Sequence, residues 1–277
     1  MFPQSSFMGM PSHMVYQNPA VASSSQLQLQ LPFMKWWPMY ARALFILARS
    51  HKPSDTNSEQ AMKVFMVNLA DLLPNATYSQ YMRDFLQLKP YVVDNLLRVV
   101  PNVFAAYPWL ERMLRTEPKV FNDTAFKNQD GQILFLYVYL LNVFMLDMFN
   151  RANIRRKPEP ILTLNDQRSL YQLDRISKSD WGNSIWFILH TSALYAPEPM
   201  DQSFVKYRTM MNSLRFLLPC PMCREHLTQN ITKIDFVRCR KTREDLFRCS
   251  WQLHNIVNIS EKKPPMGLQE AFALYSM

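Results

Sequence analysis

The chain has 277 residues and a mass of 32.8 kDa, which is enough for one large domain or two modest ones. Hydrophobic residues make up 48% and glycines number only 4, so the composition excludes a disordered chain and argues against a Rossmann fold, a P-loop or a hairpin-rich barrel, whose turns need glycine. The net charge of +9 is not accompanied by a recognised nucleic-acid motif, so we interpret it as a solvated basic surface and expect no specific nucleic-acid partner. A mostly helical, all-α protein is the class that remains.

The N-terminal half is predicted to consist of a flexible tail followed by a helical region. Residues 1–32 mix Met, Ser, Gln and Pro without the apolar core of a signal peptide, and we expect a flexible tail. Apolar periodicity and proline positions predict the helices that follow, with a break at Pro108. They are expected over 33–49, 58–72, 77–88, 91–100 and 104–115.

A seventeen-residue apolar stretch, 133–149, is the longest hydrophobic segment of the chain. It is short for a membrane span, which needs roughly 20 residues, and it contains Asn142 and Asp147. We therefore predict a buried core or interface helix, and we do not expect membrane association.

The clearest boundary is the segment around Pro158 and Pro160, which divides a helical region at 33–157 from a second region at 158–277. Similar apolar triplets precede Leu-Leu-Pro in both halves, which suggests that the first half is a degenerate copy of the second; chance similarity of such short matches stays an alternative. The second region is predicted to hold helices at about 180–195, 202–218, 221–231, 243–259 and 267–275.

The chemistry of the chain is concentrated in Cys220-Pro221-Met222-Cys223. Two cysteines three residues apart can open and close a disulfide. Pro221 suits the first position of a helix, which would make Cys220 the N-cap, where backbone N–H groups and the helix dipole stabilise a thiolate. The motif indicates redox or metal chemistry without choosing between them.

Two polar stripes accompany this motif. Gly182, Trp186 and His190 recur on one face of a predicted helix, while Trp251, His254 and Asn258 share a face of a later one. Buried histidine and asparagine side chains need partners, so the two stripes favour a polar, planar ligand held between helices.

These three segments in this order resemble the Erv/ALR family of flavin-linked sulfhydryl oxidases, over about residues 178–266. The long N-terminal extension is most similar to that of the large, divergent viral members, as in baculoviruses. The resemblance implies a helical bundle that holds FAD beside a redox-active disulfide. Reduced protein thiols would be the substrates, and electrons would pass through Cys220 and Cys223 to FAD and then to molecular oxygen, giving hydrogen peroxide.

The resemblance also implies roles for individual residues. Cys223 would lie against the flavin ring, and Cys220 would exchange with the substrate dithiol. The expected cofactor-binding residues are Gly182, Trp186, His190, Tyr195, Trp251, His254, Asn255, Val257, Asn258 and Lys263. The family further suggests a homo-oligomer, and we expect an intracellular location, in the host cytoplasm or nucleus, or in the virion.

The sequence departs from the cellular members at their second, structural disulfide, because Trp251 stands where one of its cysteines would be. The remaining cysteines, Cys239 and Cys249, lie ten residues apart without Cys-x-x-Cys spacing. We expect isolated, reduced thiols; a structural disulfide and an electron-shuttling pair stay open.

Three other interpretations compete with the oxidase. A structural zinc module could use Cys220, Cys223 and His226 with Cys239 or His254. A thioredoxin-like oxidoreductase lacks support, since no βαβ pattern surrounds the cysteines. A non-catalytic viral assembly protein would use mainly the N-terminal half.

Overall fold

The computed structural model describes residues 31–51, 56–127, 131–172 and 175–276, and within those ranges the regular structure is helical, without strands. The predicted all-α class is therefore confirmed. Fourteen α-helices follow in chain order across the described ranges: α1 Phe33–Ser50, α2 Thr56–Asp71, α3 Ala76–Leu86, α4 Pro90–Val99, α5 Pro101–Ala106, α6 Pro108–Thr116, α7 Pro118–Lys127, α8 Gln132–Ala152, α9 Leu164–Leu170, α10 Lys178–Leu194, α11 Met200–Leu217, α12 Pro221–Ile231, α13 Arg243–Ser260 and α14 Leu268–Tyr275.

Prolines set many of these boundaries. Helices α4, α5, α6 and α7 each begin with proline, which lacks the N–H that the first helical turn leaves unpaired. The predicted break at Pro108 is confirmed, since it separates α5 from α6. Helices α7 and α9 were not predicted; α9 begins with a capping box between Thr163 and Asp166. The predicted tail at 1–32 lies outside the described residues except for Leu31, which is buried, and Pro32.

The predicted apolar stretch at 133–149 forms most of α8. This helix is long and apolar enough to cross a membrane by length and composition, but 78% of its apolar window is buried among the other helices. Its Asn142 is buried too, and the amide oxygen accepts a hydrogen bond of 2.9 Å from the Trp37 indole N–H of α1. Helix α8 is therefore a core helix of this fold, as predicted.

Helix α1 joins the two halves of the chain. It packs against α8 on one side and against α10 on the other, while α2 packs along α11. The buried Tyr40 hydroxyl forms hydrogen bonds of 2.8 Å with Thr191 and 3.1 Å with Ser192, both on α10. Arg42 adds an ion pair with Asp180 at 3.3 Å. The N-terminal half is consequently fixed against the helix that carries the first polar stripe.

Candidate functional site

A cavity of about 740 Å³ opens between α10, α12 and α13, the three helices that carry the predicted motifs. Its volume lies within the roughly 300–1,000 Å³ of typical cofactor and ligand sites. The wall is mostly apolar and includes Leu214, Leu218 and Leu227 beside a few polar and aromatic side chains. This combination suits a large ligand with planar and polar parts.

Helix α10 supplies the first wall. It begins with a capping box, in which Ser177 accepts from the Asp180 backbone N–H and the Asp180 carboxylate accepts from the Ser177 backbone N–H. Gly182 and Trp186, one turn apart, both line the cavity. A Cβ added at Gly182 would meet no described atom within 4 Å, so the missing side chain leaves open space at the wall rather than relieving a clash.

Helix α13 supplies the facing wall through His254. The imidazole of His254 stacks on the indole of Trp186, with ring centroids 4.1 Å apart and planes 9° apart. His190 lies behind this pair and is fully buried, and its Nε2 atom is 2.9 Å from Nδ1 of His254. The two polar stripes predicted from the sequence therefore meet side chain to side chain.

Both histidines are held neutral at ordinary pH. Burial, and then the neighbouring His254, holds the pKa of His190 well below its usual value. Burial, and then the positive charge of Lys263, lowers the pKa of His254 to about 4. The stacked pair is thus an uncharged, hydrogen-bonding part of the wall.

Helix α12 carries the redox motif in the predicted geometry. Cys220 is the N-cap, Pro221 is the first helical residue, and the Cys223 backbone N–H donates to Sγ of Cys220 at 3.2 Å. Cys220 and Cys223 form a disulfide with Cα atoms 5.1 Å apart. Cys223 belongs to the cavity wall, whereas Cys220 is not among the described residues that line it. The two cysteines of the pair therefore differ in their access to the cavity.

Our expectation of isolated thiols at Cys239 and Cys249 is wrong, because the structure joins them in a second disulfide with Cα atoms 5.9 Å apart. A short 3-10 helix, Phe236–Cys239, turns the chain back so that Cys239 reaches α13. Cys239 is fully buried and Cys249 is 7% exposed. Sulfurs so enclosed cannot exchange with a protein substrate, which argues against the shuttle and favours a structural disulfide.

A loop after α13 carries Lys263 to the cavity wall, and two of the predicted residues hold that loop in place. The Trp251 indole N–H donates to the Met266 carbonyl at 2.8 Å. The Asn255 amide donates to the same carbonyl at 2.9 Å and accepts from the Met266 N–H at 2.9 Å. Trp251 and Asn255 thus position the loop.

The predicted cofactor-binding residues fall into two groups. The cavity wall includes Gly182, Trp186, His254, Val257, Asn258 and Lys263. The residues that do not line it, within the described chain, are His190, Tyr195, Trp251 and Asn255. Of these, His190 contacts His254, Trp251 and Asn255 hold the loop that carries Lys263, and Tyr195 is the C-cap of α10. Contact with a cofactor stays a prediction for both groups.

Sequence reasoning missed the contribution of α1. Lys35 and Met39, one helical turn apart, both line the cavity although they precede Gly182 by more than a hundred residues. Lys178, at the start of α10, also lines it and pairs with Glu261 at 2.6 Å. The helical spacing of Lys35 and Met39 was visible, but nothing in the sequence alone indicated that this face of α1 would meet the C-terminal half.

A zinc module finds no support. The thiolates that zinc would need are in disulfides at both cysteine pairs. Across the described ranges, no three His, Cys, Asp or Glu side chains group so as to hold a metal ion.

Comparison with known proteins yields one family. A model described as the Erv1 / Alr family matches residues 183–274, which include the redox motif and both histidines. The chain is 31% identical over 98 residues to a probable FAD-linked sulfhydryl oxidase of Acanthamoeba polyphaga mimivirus, covering 35% of this chain and 68% of the relative. No solved structure matches the chain.

Two further relatives are also viral. A putative FAD-linked sulfhydryl oxidase of Invertebrate iridescent virus 3 is 31% identical over 96 residues, which is 34% of this chain and 65% of the relative. Another, of Frog virus 3 (isolate Goorha), is 27% identical over 103 residues, 36% of this chain and 68% of the relative. The similarity is thus confined to about a third of the chain.

Proposed function

Because this chain belongs to the Erv1/Alr family, we propose that it is an FAD-linked sulfhydryl oxidase that forms disulfide bonds in protein substrates. The observation that carries the proposal is the position of the Cys220–Cys223 disulfide. It sits at the start of α12, where Cys223 lines a cofactor-sized cavity and Cys220 is not among the described residues that line it. An oxidase that takes electrons from a large substrate and delivers them to an enclosed cofactor needs this division.

The residues of the cavity fit FAD. The parallel Trp186 and His254 rings offer flat surfaces and edges to an aromatic ring system. Lys35 and Lys263 bring positive charge toward a ligand whose pyrophosphate is negative, whereas the charge of Lys178 is paired with Glu261 on the same wall. The open space at Gly182 lets a ligand approach the α10 backbone closely. When bound, FAD would take up the electron pair from the reduced cysteines and pass it to oxygen, which becomes hydrogen peroxide.

The two cysteines have different tasks. A thiolate of the substrate attacks Sγ of Cys220, the Cys220–Cys223 bond breaks, and Cys223 leaves as a thiolate. The second substrate thiolate then attacks the substrate sulfur of this mixed disulfide and releases Cys220 as a thiolate. The substrate gains a disulfide and loses two electrons and two protons, while the enzyme holds a reduced pair. Placement of Cys220 at the N-cap stabilises its thiolate as leaving group.

The rest of the wall binds and orients the cofactor. We assign direct contact to Gly182, Trp186, His254, Val257, Asn258 and Lys263, and to Lys35 and Met39 from α1. His190 acts through His254, and Trp251 and Asn255 act through the loop that carries Lys263. Residues 158–277 form the oxidase region in this proposal, and residues 33–157 form a helical partner region derived from a degenerate copy of it.

The proposal extends to the setting of the enzyme. Reduced protein thiols and molecular oxygen are its reactants, and the family relationship supports a homo-oligomer. The viral relatives support a location inside the infected cell, in the cytoplasm or nucleus, or in the virion. Sedimentation of the purified chain and fractionation of cells that express it test these two points separately.

Flavin content together with oxygen uptake tests the function itself. The full-length protein is expected to be yellow with a flavin absorbance, and dithiothreitol should drive oxygen consumption and peroxide release. A colourless protein that takes up no FAD on reconstitution and shows no thiol-dependent oxygen consumption would overturn the proposal. The Cys220→Ser and Cys223→Ser variants are the matched controls for the chemistry.

A further inference from the structure

A row of three side chains runs from the interior of the protein to the cavity wall. The Ser250 hydroxyl of α13 lies 2.9 Å from Nδ1 of His190, and Nε2 of His190 lies 2.9 Å from Nδ1 of His254. Ser250 is 1% exposed and His190 is fully buried. His254 alone of the three lines the cavity. The row therefore connects a buried hydroxyl to the ligand-facing imidazole.

The direction of the hydrogen bonds follows from the needs of Ser250. A buried hydroxyl has to donate its hydrogen to an acceptor, because a buried donor without a partner has lost its hydrogen bond to water and gained nothing in exchange. Nδ1 of His190 lies within hydrogen-bond distance of the Ser250 hydroxyl, and the buried Tyr207 hydroxyl also interacts with Ser250. A buried phenol has its own hydrogen to donate, so Tyr207 uses the Ser250 oxygen as acceptor and leaves the Ser250 hydrogen for His190. The Ser250 O–H accordingly donates to His190, whose Nδ1 atom carries no proton.

The protonation of both rings then follows in sequence. A neutral imidazole has one N–H, so His190 bears its proton on Nε2 and donates it to Nδ1 of His254. His254 must then carry its own proton on Nε2, the ring atom opposite its bond to His190. Both rings are neutral at ordinary pH, because burial lowers the pKa of each. If each hydrogen bond ran in the opposite direction, His254 would carry its proton on Nδ1 and would present the lone pair of Nε2 to the ligand.

We propose that Ser250 is a positioning residue which, through His190, fixes His254 in the tautomer that offers an N–H donor to an acceptor atom of the bound cofactor. This inference rests on the proposed function for the identity of the ligand. The tautomers themselves are a property of the protein and can be measured whether or not FAD binds. Flavin and adenine rings and phosphates all present acceptor atoms, and a fixed N–H donor pairs with such an atom where a nitrogen lone pair would repel it.

Nitrogen NMR of the full-length protein labelled with 15N-histidine reads the tautomers directly. The chain has five histidines, so His13→Gln, His51→Gln and His226→Gln proteins identify three of the signals, and a His254→Gln protein distinguishes His254 from His190. The expected result is that both rings show an unprotonated Nδ1 and a protonated Nε2. A protonated Nδ1 on His190 would mean that Ser250 accepts rather than donates, and would overturn the proposal.

Variants at Ser250 test its role. Ser250→Ala should let both tautomers of His190 and His254 appear, and should weaken FAD binding about tenfold. Ser250→Thr keeps the hydroxyl and should restore both. Ser213→Ala is the matched control, because Ser213 is also buried but donates to the Thr209 carbonyl away from the row.

The measurements distinguish failure of the positioning role of Ser250 from failure of the proposed function. Weaker FAD binding in Ser250→Ala with unchanged tautomers would show that the serine only fills space, and the proposal would fail. Expected tautomers in a protein that binds no FAD would leave the row intact and refute the proposed function. Failure of Ser250→Thr to restore the tautomers in a protein that melts like wild type would also count against the positioning role.

Discussion

The imidazole of His254 lies parallel to the indole of Trp186, with ring centroids 4.1 Å apart and planes 9° apart, although 68 positions in the chain separate them (254 minus 186). This contact brings α10 and α13 together at the cavity wall, next to the helix that begins with the redox disulfide. A substitution should affect cofactor binding directly where the side chain lines the cavity, and indirectly where the side chain holds a lining residue in place.

Cys220→Ser and Cys223→Ser should both abolish turnover but differ in colour. Cys220→Ser leaves the cavity-facing Cys223 sulfur unpaired beside the flavin, and its thiolate should produce a long-wavelength charge-transfer absorbance. Cys223→Ser removes that sulfur and should lack the band. Absorbance spectra of the two FAD-loaded variants make the comparison; a band in Cys223→Ser instead would reverse the roles.

Gly182→Ala should separate stability from cofactor binding. Alanine in a helix interior is more stable than glycine by about 0.5–1 kcal/mol, and the added Cβ meets no described atom within 4 Å. The FAD-free protein should therefore melt at a higher temperature, while FAD binds more weakly because the methyl group enters the cavity. Thermal melts and flavin fluorescence titration measure the two effects. Unchanged FAD affinity would mean that the cofactor stays away from this turn of α10.

Lys35→Ala should weaken binding of flavins that carry phosphate and spare riboflavin, which carries none. The exposed Lys35 ammonium lines the cavity, and a solvent-screened charge contact contributes about 0.5–1 kcal/mol, or about twofold to fivefold in affinity. Titrations with FAD, FMN and riboflavin give the comparison, and Lys89→Ala, an exposed lysine outside the cavity, is the control. An equal loss with riboflavin would show that Lys35 does not act on the phosphates.

The FAD-free protein should lose stability between about pH 7 and pH 5. His254 has a pKa of about 4 in the fold against 6.5 when unfolded, so the unfolded chain binds more protons as pH falls below 6.5. Its contribution is fully present above that pH and falls by about 2 kcal/mol by pH 5. His190 acts in the same direction. Urea unfolding at the two pH values should show a smaller difference for His254→Gln; an equal difference would contradict the assignment.

Replacing both Cys239 and Cys249 by serine should lower stability and spare the chemistry. Loss of a disulfide that closes a loop of about ten residues costs roughly 2–3 kcal/mol. Dithiothreitol oxidation should stay within a few-fold of wild type at temperatures where the variant is folded. Thermal melts and assays on dithiothreitol and a reduced protein test this. Collapse of protein oxidation alone, without a shift in melting, would restore the shuttle interpretation.

Local features of this fold could be predicted from the sequence. Prolines begin five of the fourteen described α-helices, and Pro221 after Cys220 was enough to predict the capped redox helix. Gly182, Trp186 and His254 were identified because their spacing and residue types resemble those of the family, and all three line the cavity. These predictions depend on neighbours within a few turns of helix.

Features that depend on distant contacts escaped prediction. Lys35 and Met39 reach the cavity only because Tyr40 fixes α1 on α10, and no short-range pattern encodes that contact. The Cys239–Cys249 disulfide requires the 3-10 turn before α13, which the ten-residue spacing does not reveal. His190 was expected at the ligand, but its place behind His254 depends on how α10 and α13 face each other.

The sequence boundary at Pro158 does not separate two independently packed halves in the folded protein. Arg155 and Arg156 are exposed beside it, so a trypsin-like protease would find cleavage sites there, whereas Pro158 protects the bond after Lys157. Helix α1 packs against helices from both halves, and α2 packs along α11. These contacts would hold the two pieces of a cleaved chain together. We therefore expect cleavage at this point to leave a two-chain protein whose pieces separate only on unfolding, with both halves unfolding in one cooperative transition.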